Sequence, residues 1–260
     1  MTARNPTLAD GGLQASSALS LEVAGSVASI TLGSGERRNV LAPSDWDELT
    51  RLAEQLATRV DLSVVVFRGG GRTFSAGSDL RFWQNEHGRT VDDDFARMET
   101  ALQAIEQIPV PTIAVVEGVA AGAGCELALA CDLRIFAQTA RIGLPILQLG
   151  VLVSPHFALR MTSLIGVSRT RELLYSGRLI SAAEADRLGM ANTVVPQSSI
   201  ESELASWVGK ISLQPRSGLV AAKTASTVAL AQLRSQHDTP GWTFFDPQQL
   251  SDRIGAFFQR

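Results

Sequence analysis

The chain has 260 residues, 45% of them hydrophobic and 19% charged, enough for a sizeable core in one domain or two small ones. A formal net charge of −3 leaves no basic footprint for nucleic acid. The two cysteines, Cys125 and Cys131, lie in one apolar segment, match no zinc spacing and are badly placed to bridge, so they read as buried thiols.

Residues 1–18 are made largely of small and polar residues, Gly, Ala, Ser and Asn among them, with no basic start before an apolar stretch. They read as a flexible arm, not a signal peptide. SLEVAGSVASITL (20–32) predicts two short strands around a Gly25-Ser26 turn. A helix follows from Pro43, with Trp46, Leu49, Leu52, Ala53 and Leu56 on one stripe. SVVVF (63–67) reads as a strand buried on both faces. A helix over Asp93–Ile108 presents Phe95, Met98, Leu102 and Ile105, and TIAVV (112–116) is a second buried strand. A helix over 121–130 and the strand LRIF complete a strand–helix rhythm that predicts a parallel sheet.

Helices are predicted over 155–165, 168–176 and SAAEADRL, the last with Ser181 and Glu184 in capping-box spacing. Further helices near 199–211, 217–235 and 248–258 end the chain. The organisation expected is an α/β core over 19–196 and a helical region over 197–260, the latter suited to contacts between subunits. Glu117 and Glu126 interrupt the best apolar run, so no membrane span is expected and the chain reads as cytoplasmic.

Several motifs fail on their details. GGGRTF and GAGCEL carry Phe74 and Leu127 where a dinucleotide fingerprint needs a small residue, and Gly209-Lys210 runs into Ile211, not Ser or Thr. TFSAG has Thr73 where a nucleophile elbow needs glycine. His87, His156 and His237 are scattered and form no metal-ligand pattern.

GVAAGAGCELALACD (118–132) is different, because it places Glu126 in an otherwise apolar run. A buried carboxylate is costly unless a structural hydrogen bond or chemistry repays it. Gly77-Ser78 follows one predicted buried strand, and Ala121–Gly124 follows another and opens a helix. Small residues there let main-chain N–H groups face outward, and two converging on one point make an oxyanion hole. A thioester carbonyl held so becomes acidic at its α-carbon, with Glu126 one turn along to move the proton.

VVVFRGGGRTFSAGSDL and IPVPTIAVVEGVAAGAGCELALACDLRIF together resemble the crotonase family, the enoyl-CoA hydratase/isomerase superfamily. ERRNVLAPSDWDELTRLAEQL, SGRLISAAEADRLGMANTVV and SDRIGAFFQR extend the likeness over roughly residues 20 to 260. The resemblance implies an α/β fold with a crotonase-like β-β-α spiral core and a C-terminal helical region, assembled as trimers or dimers of trimers. It implies an acyl-CoA ligand and no metal or redox cofactor. The implied oxyanion donors are the N–H groups of Ser78 and Ala123, set among Ala76, Gly77, Asp79, Leu80, Gly122 and Gly124, and the implied catalytic glutamate is Glu126. Arg37 and Arg38 fall where the family often carries basic residues near the CoA phosphates.

One departure bears on the reaction. The family's second glutamate follows a proline, whereas here Pro145 is followed by Ile146, and Val153–Phe157 replaces a small glycine-rich loop. Isoleucine moves no proton, so efficient hydration is not expected; isomerisation, or another enolate reaction such as hydrolysis or decarboxylation, is. His156, Glu86 or Asp92–Asp94 are candidate substitute acids, and Phe82 and Trp83 fall where the family lines its acyl pocket. The alternative is a carrier or regulatory protein that binds acyl-CoA without turnover.

Overall fold

The computed structural model describes residues 19–83, 89–235 and 247–259. The expected arm, together with Glu86, His87 and His237, lies outside the described residues. In chain order the strands are β1 (Leu19–Ala24), β2 (Val27–Leu32), β3 (Val64–Gly69), β4 (Thr112–Val116), β5 (Val119–Ala121), β6 (Leu133–Ala137), β7 (Arg141–Gly143), β8 (Ile180–Ser181) and β9 (Thr193–Val195). The helices are α1 (Pro43–Ala57), α2 (Arg89–Glu106), α3 (Ala123–Ala130), α4 (Pro155–Ser176), α5 (Ala182–Leu188), α6 (Ile200–Ser212), α7 (Arg216–Ser235) and α8 (Pro247–Phe258).

The main sheet runs β1-β2-β3-β4-β6-β9. Only the β1–β2 hairpin is antiparallel, in register Ala24↔Val27 around the turn, and the other pairs are parallel. A small second sheet, β5-β7-β8, stands beside it. Parallel strands covered on both faces carry continuous apolar runs, and alternation then sorts the side chains. Val65, Phe67, Ala114, Val116 and Phe136 enter the larger core with α1, α2 and α3. Val64, Val66, Ile113, Val115 and Ile135 enter a separate core on the opposite face, where Leu204, Trp207 and Val208 of α6 cover them. Within the expected tail, α6 therefore packs on this chain's own sheet. Among the described residues no helix is long and apolar enough to cross a membrane.

The structure revises some sequence expectations and bears out others. The helix expected from 121 starts at Ala123, because Val119–Ala121 pairs in parallel with Arg141–Gly143. The two helices expected over 155–165 and 168–176 are both present within α4, divided by a kink at Gly166, whose φ of 74° and ψ of 164° are not helical. Ser181 accepts the Glu184 N–H as expected, but the Glu184 carboxylate turns to Arg178 at 2.7 Å.

Candidate active site

Two glycines bring the key backbone segments together. Gly77 has φ of +96°, and a Cβ there would sit 2.8 Å from both the Ala121 carbonyl oxygen and the Ala123 nitrogen. A Cβ at Gly124 would land on the Ser75 carbonyl oxygen. The loop 75–78 therefore lies directly against the amino terminus of α3, as only residues without side chains permit. Isolated bridges tie it further, Leu41 to Ser78 and Ser75 to Ala120. In the first, the Leu41 N–H donates to the Gly77 oxygen and the Asp79 N–H to the Leu41 oxygen, leaving the Ser78 N–H out of the ladder. Ala123 is the first residue of α3, where an N–H has no intrahelical acceptor. Among the described residues, neither the Ser78 nor the Ala123 N–H has a backbone partner outside the regular elements.

Ser78 and Ala123 line one cavity of about 480 Å³. Arg37, Arg38, Ala76, Asp79, Leu80, Gly122 and Ile146 are also on its wall. Gly77, Gly124, Glu126 and His156 are not. Gly77 and Gly124 act on the site through the close approach above. His156 is half-buried, next to the Pro155 that opens α4. The segment around it builds the helix: Ser154 caps α4 by accepting the Phe157 N–H at 3.2 Å, and Phe157 reaches the wall.

Arg37, Arg38 and Asn39 form a left-handed run with φ of 47°, 57° and 53°, a conformation that costs non-glycine residues energy. Asn39 holds it. The Asn39 amide donates to the carbonyls of Gly70, Thr73 and Phe74 at 2.9–3.1 Å and accepts the Gly35 N–H at 2.7 Å. The Arg38 carbonyl accepts the Ala76 N–H at 2.8 Å. This fixes the backbone from which both arginines meet the cavity. Asp79 accepts from Arg37 at 2.9 Å and from Arg81 at 2.6 Å. Burial raises the Asp79 carboxyl, and Arg37 opposes that shift.

Elsewhere the wall is apolar, with Trp83, Phe95, Met98, Leu149, Val151, Phe157, Phe257 and Phe258. Trp83 stacks on Phe95 with centroids 5.1 Å apart and donates its indole N–H to Asp94 at 3.0 Å. Asp94, considered as a substitute acid, thus anchors Trp83 and is not on the wall. Phe82, 48% exposed, is not on the wall either. Sequence reasoning missed Asn39, Arg81 and the Phe257–Phe258 pair. A signal was available only for Asn39, a turn-forming residue after two bulky ones.

Glu126 is completely buried. Its Oε2 lies 3.4 Å from Arg160 Nη1, and its Oε1 has no hydrogen-bond partner. Burial, with the nearby Glu99 and Glu106 charges, pushes its pKa to about 8, against the opposing pull of Arg160. Glu126 therefore holds its proton at neutral pH. Its neighbourhood abuts the apolar wall: Ala123 is one turn before it, Met98 adjoins Glu99, and Phe157 is one turn before Arg160.

Residues 22–240 match the family model described as enoyl-CoA hydratase/isomerase. A probable enoyl-CoA hydratase of Mycobacterium leprae is 33% identical over 241 residues, 89% of this chain and 91% of that protein. The crystal structure of an enoyl-CoA hydratase from Bacillus anthracis superposes with a TM-score of 0.77 at 31% identity, covering 85% of this chain and 89% of that one. A CoA complex of a Thermobifida fusca protein assigned as an enoyl-CoA hydratase gives 0.73 at 28% identity, covering 94% and 91%.

Proposed function

The chain belongs to the enoyl-CoA hydratase/isomerase family, and from that premise we propose that it acts on an acyl-CoA thioester through an enolate held by the Ser78 and Ala123 N–H groups. The observation that carries this reading is the pair of main-chain donors on the wall of one cavity that have no backbone partner outside the regular elements among the described residues. Donors fixed in place cost no reorganisation when charge develops on the thioester oxygen. Arg37 and Arg38 suit the CoA phosphates, and the apolar wall suits the acyl group. No metal or redox cofactor is needed for proton movement of this kind.

Glu126 is the proton-transfer group in this reading. The second carboxylate of a hydratase pair is replaced by Ile146, which is on the wall and moves no proton. Loss of a general acid or base typically costs about 10²–10⁴-fold, so double-bond isomerisation is favoured over hydration. The reading requires the unpartnered Oε1 of Glu126 to reach the cavity when thioester binds. A carrier that binds acyl-CoA without turnover is the second reading, and the position of Glu126 off the wall favours it. We further propose a cytoplasmic trimer or hexamer.

Chromatographic separation of products from a panel of enoyl-CoAs, with Glu126→Gln and Ile146→Glu variants, tests the proposal. Positional isomers are told apart by retention and by the ultraviolet absorbance of the conjugated enoyl thioester, and hydrated products by mass. The parent should isomerise and Glu126→Gln should lose about 10²-fold or more while still binding CoA. Ile146→Glu should gain hydration. Tight binding without product in the parent would select the carrier, and undiminished turnover in Glu126→Gln would remove Glu126 from the mechanism.

A further inference from the structure

Three glutamates surround one guanidinium in the interior. Arg160 of α4 donates from Nη1 and Nη2 to the two oxygens of Glu99 at 2.9 and 2.7 Å, and from Nε to Glu106 at 2.9 Å. Glu126 receives the longest contact, 3.4 Å, through a single oxygen. The Arg160 side chain is 2% exposed, those of Glu99 and Glu106 11% each, and that of Glu126 not at all. Fully ionised carboxylates would leave two uncompensated negative charges in this volume, an arrangement that a low-dielectric interior resists. One proton resolves part of that excess, and it settles on the carboxylate least well compensated by Arg160. Glu99 has the paired contact and a further donor, Gln103, at 3.1 Å. Glu126 has neither.

We propose that Arg160, held by Glu99 and Glu106, is the positioning residue of Glu126: it takes one carboxylate oxygen and leaves the other as the atom that carries the proton. The inference rests on the reading of Glu126 as the proton-transfer group and adds the device that orients it. The charged groups facing Glu126 are Arg160 from α4 and Glu99 and Glu106 from α2. On its own helix the neighbouring Cys125 thiol is raised well above its ordinary range by burial first and by Glu126 second, so it stays neutral.

Glu99→Gln tests this, because the amide still offers Arg160 an acceptor while removing one negative charge. Glu106→Gln is the second variant if the first does not fold. Two quantities are followed in parent and variant: the titration of Glu126 by carboxyl-carbon NMR, assigned against Glu126→Gln, and the pH profile of kcat on the best enoyl-CoA. The Glu126 midpoint should fall by about one pH unit, since a nearby like charge is gone, and the kcat profile should move with it. A shifted midpoint with an unmoved kcat profile would uphold the charge coupling across Arg160 and refute proton transfer by Glu126. A well-folded variant with an unmoved midpoint, whatever its melting temperature, would overturn the inference, because Glu99 and Glu126 would then share no charge environment across Arg160.

Discussion

Arginine meets carboxylate at two places around the cavity, and the same chemistry does different things in each. At the rim, Arg37 and Arg81 hold Asp79 with side chains 57% and 53% exposed. In the interior, Arg160 holds Glu99, Glu106 and Glu126 with nearly no exposure. Water reaches both guanidiniums. The Asp79 carboxylate between them is 6% exposed, but either arginine can be lost with the other still paired to it, so each pair alone contributes little to stability. Burial in the interior makes each charge costly, so the number of protons becomes part of the structure. Burial, not the pairing itself, turns a salt bridge into a proton-storing device.

The largest effect that separates the two regions is the pH dependence of stability. Glu126 has a folded pKa of about 8, raised from 4.5. Its protonated form is therefore the one favoured by folding. That contribution is fully present below the unfolded pKa and is lost as pH rises toward the folded one. The loss amounts to about 3–5 kcal/mol at most. Denaturant midpoints measured from pH 5 to 9 should fall for the parent relative to Glu126→Gln, which carries no proton to lose. Parallel curves would mean that the interior cluster does not store a proton on Glu126.

The smallest effect belongs to the rim. Arg37→Ala should change folding stability by less than about 1 kcal/mol, while weakening CoA binding in a manner that added salt mimics in the parent. A large stability loss would erase the contrast between the regions.

Legibility in the sequence follows the same division. Elements with a strong local pattern were read closely: β4 coincides with TIAVV, and α1 carries its expected stripe. Strands of two or three residues, β5, β7, β8 and β9, have no alternation to read and are held by pairing with distant partners. The close approach of the segments around Ser78 and Ala123 was legible in their small residues, whereas the choice of those two N–H groups as donors came from the family resemblance. The interior cluster was not, since Arg160 lies 61 residues from Glu99 and 34 from Glu126. Only the fold brings them together, with α2, α3 and α4 packed on one another.

The central claim is that two fixed main-chain donors polarise a thioester carbonyl. Infrared difference spectroscopy of a bound, non-reacting acyl-CoA carrying a 13C-labelled thioester carbonyl reads this directly. The account predicts a carbonyl stretch shifted to lower frequency on binding, and equally shifted in Glu126→Gln. A bound thioester whose carbonyl frequency matches that in water or higher would contradict it.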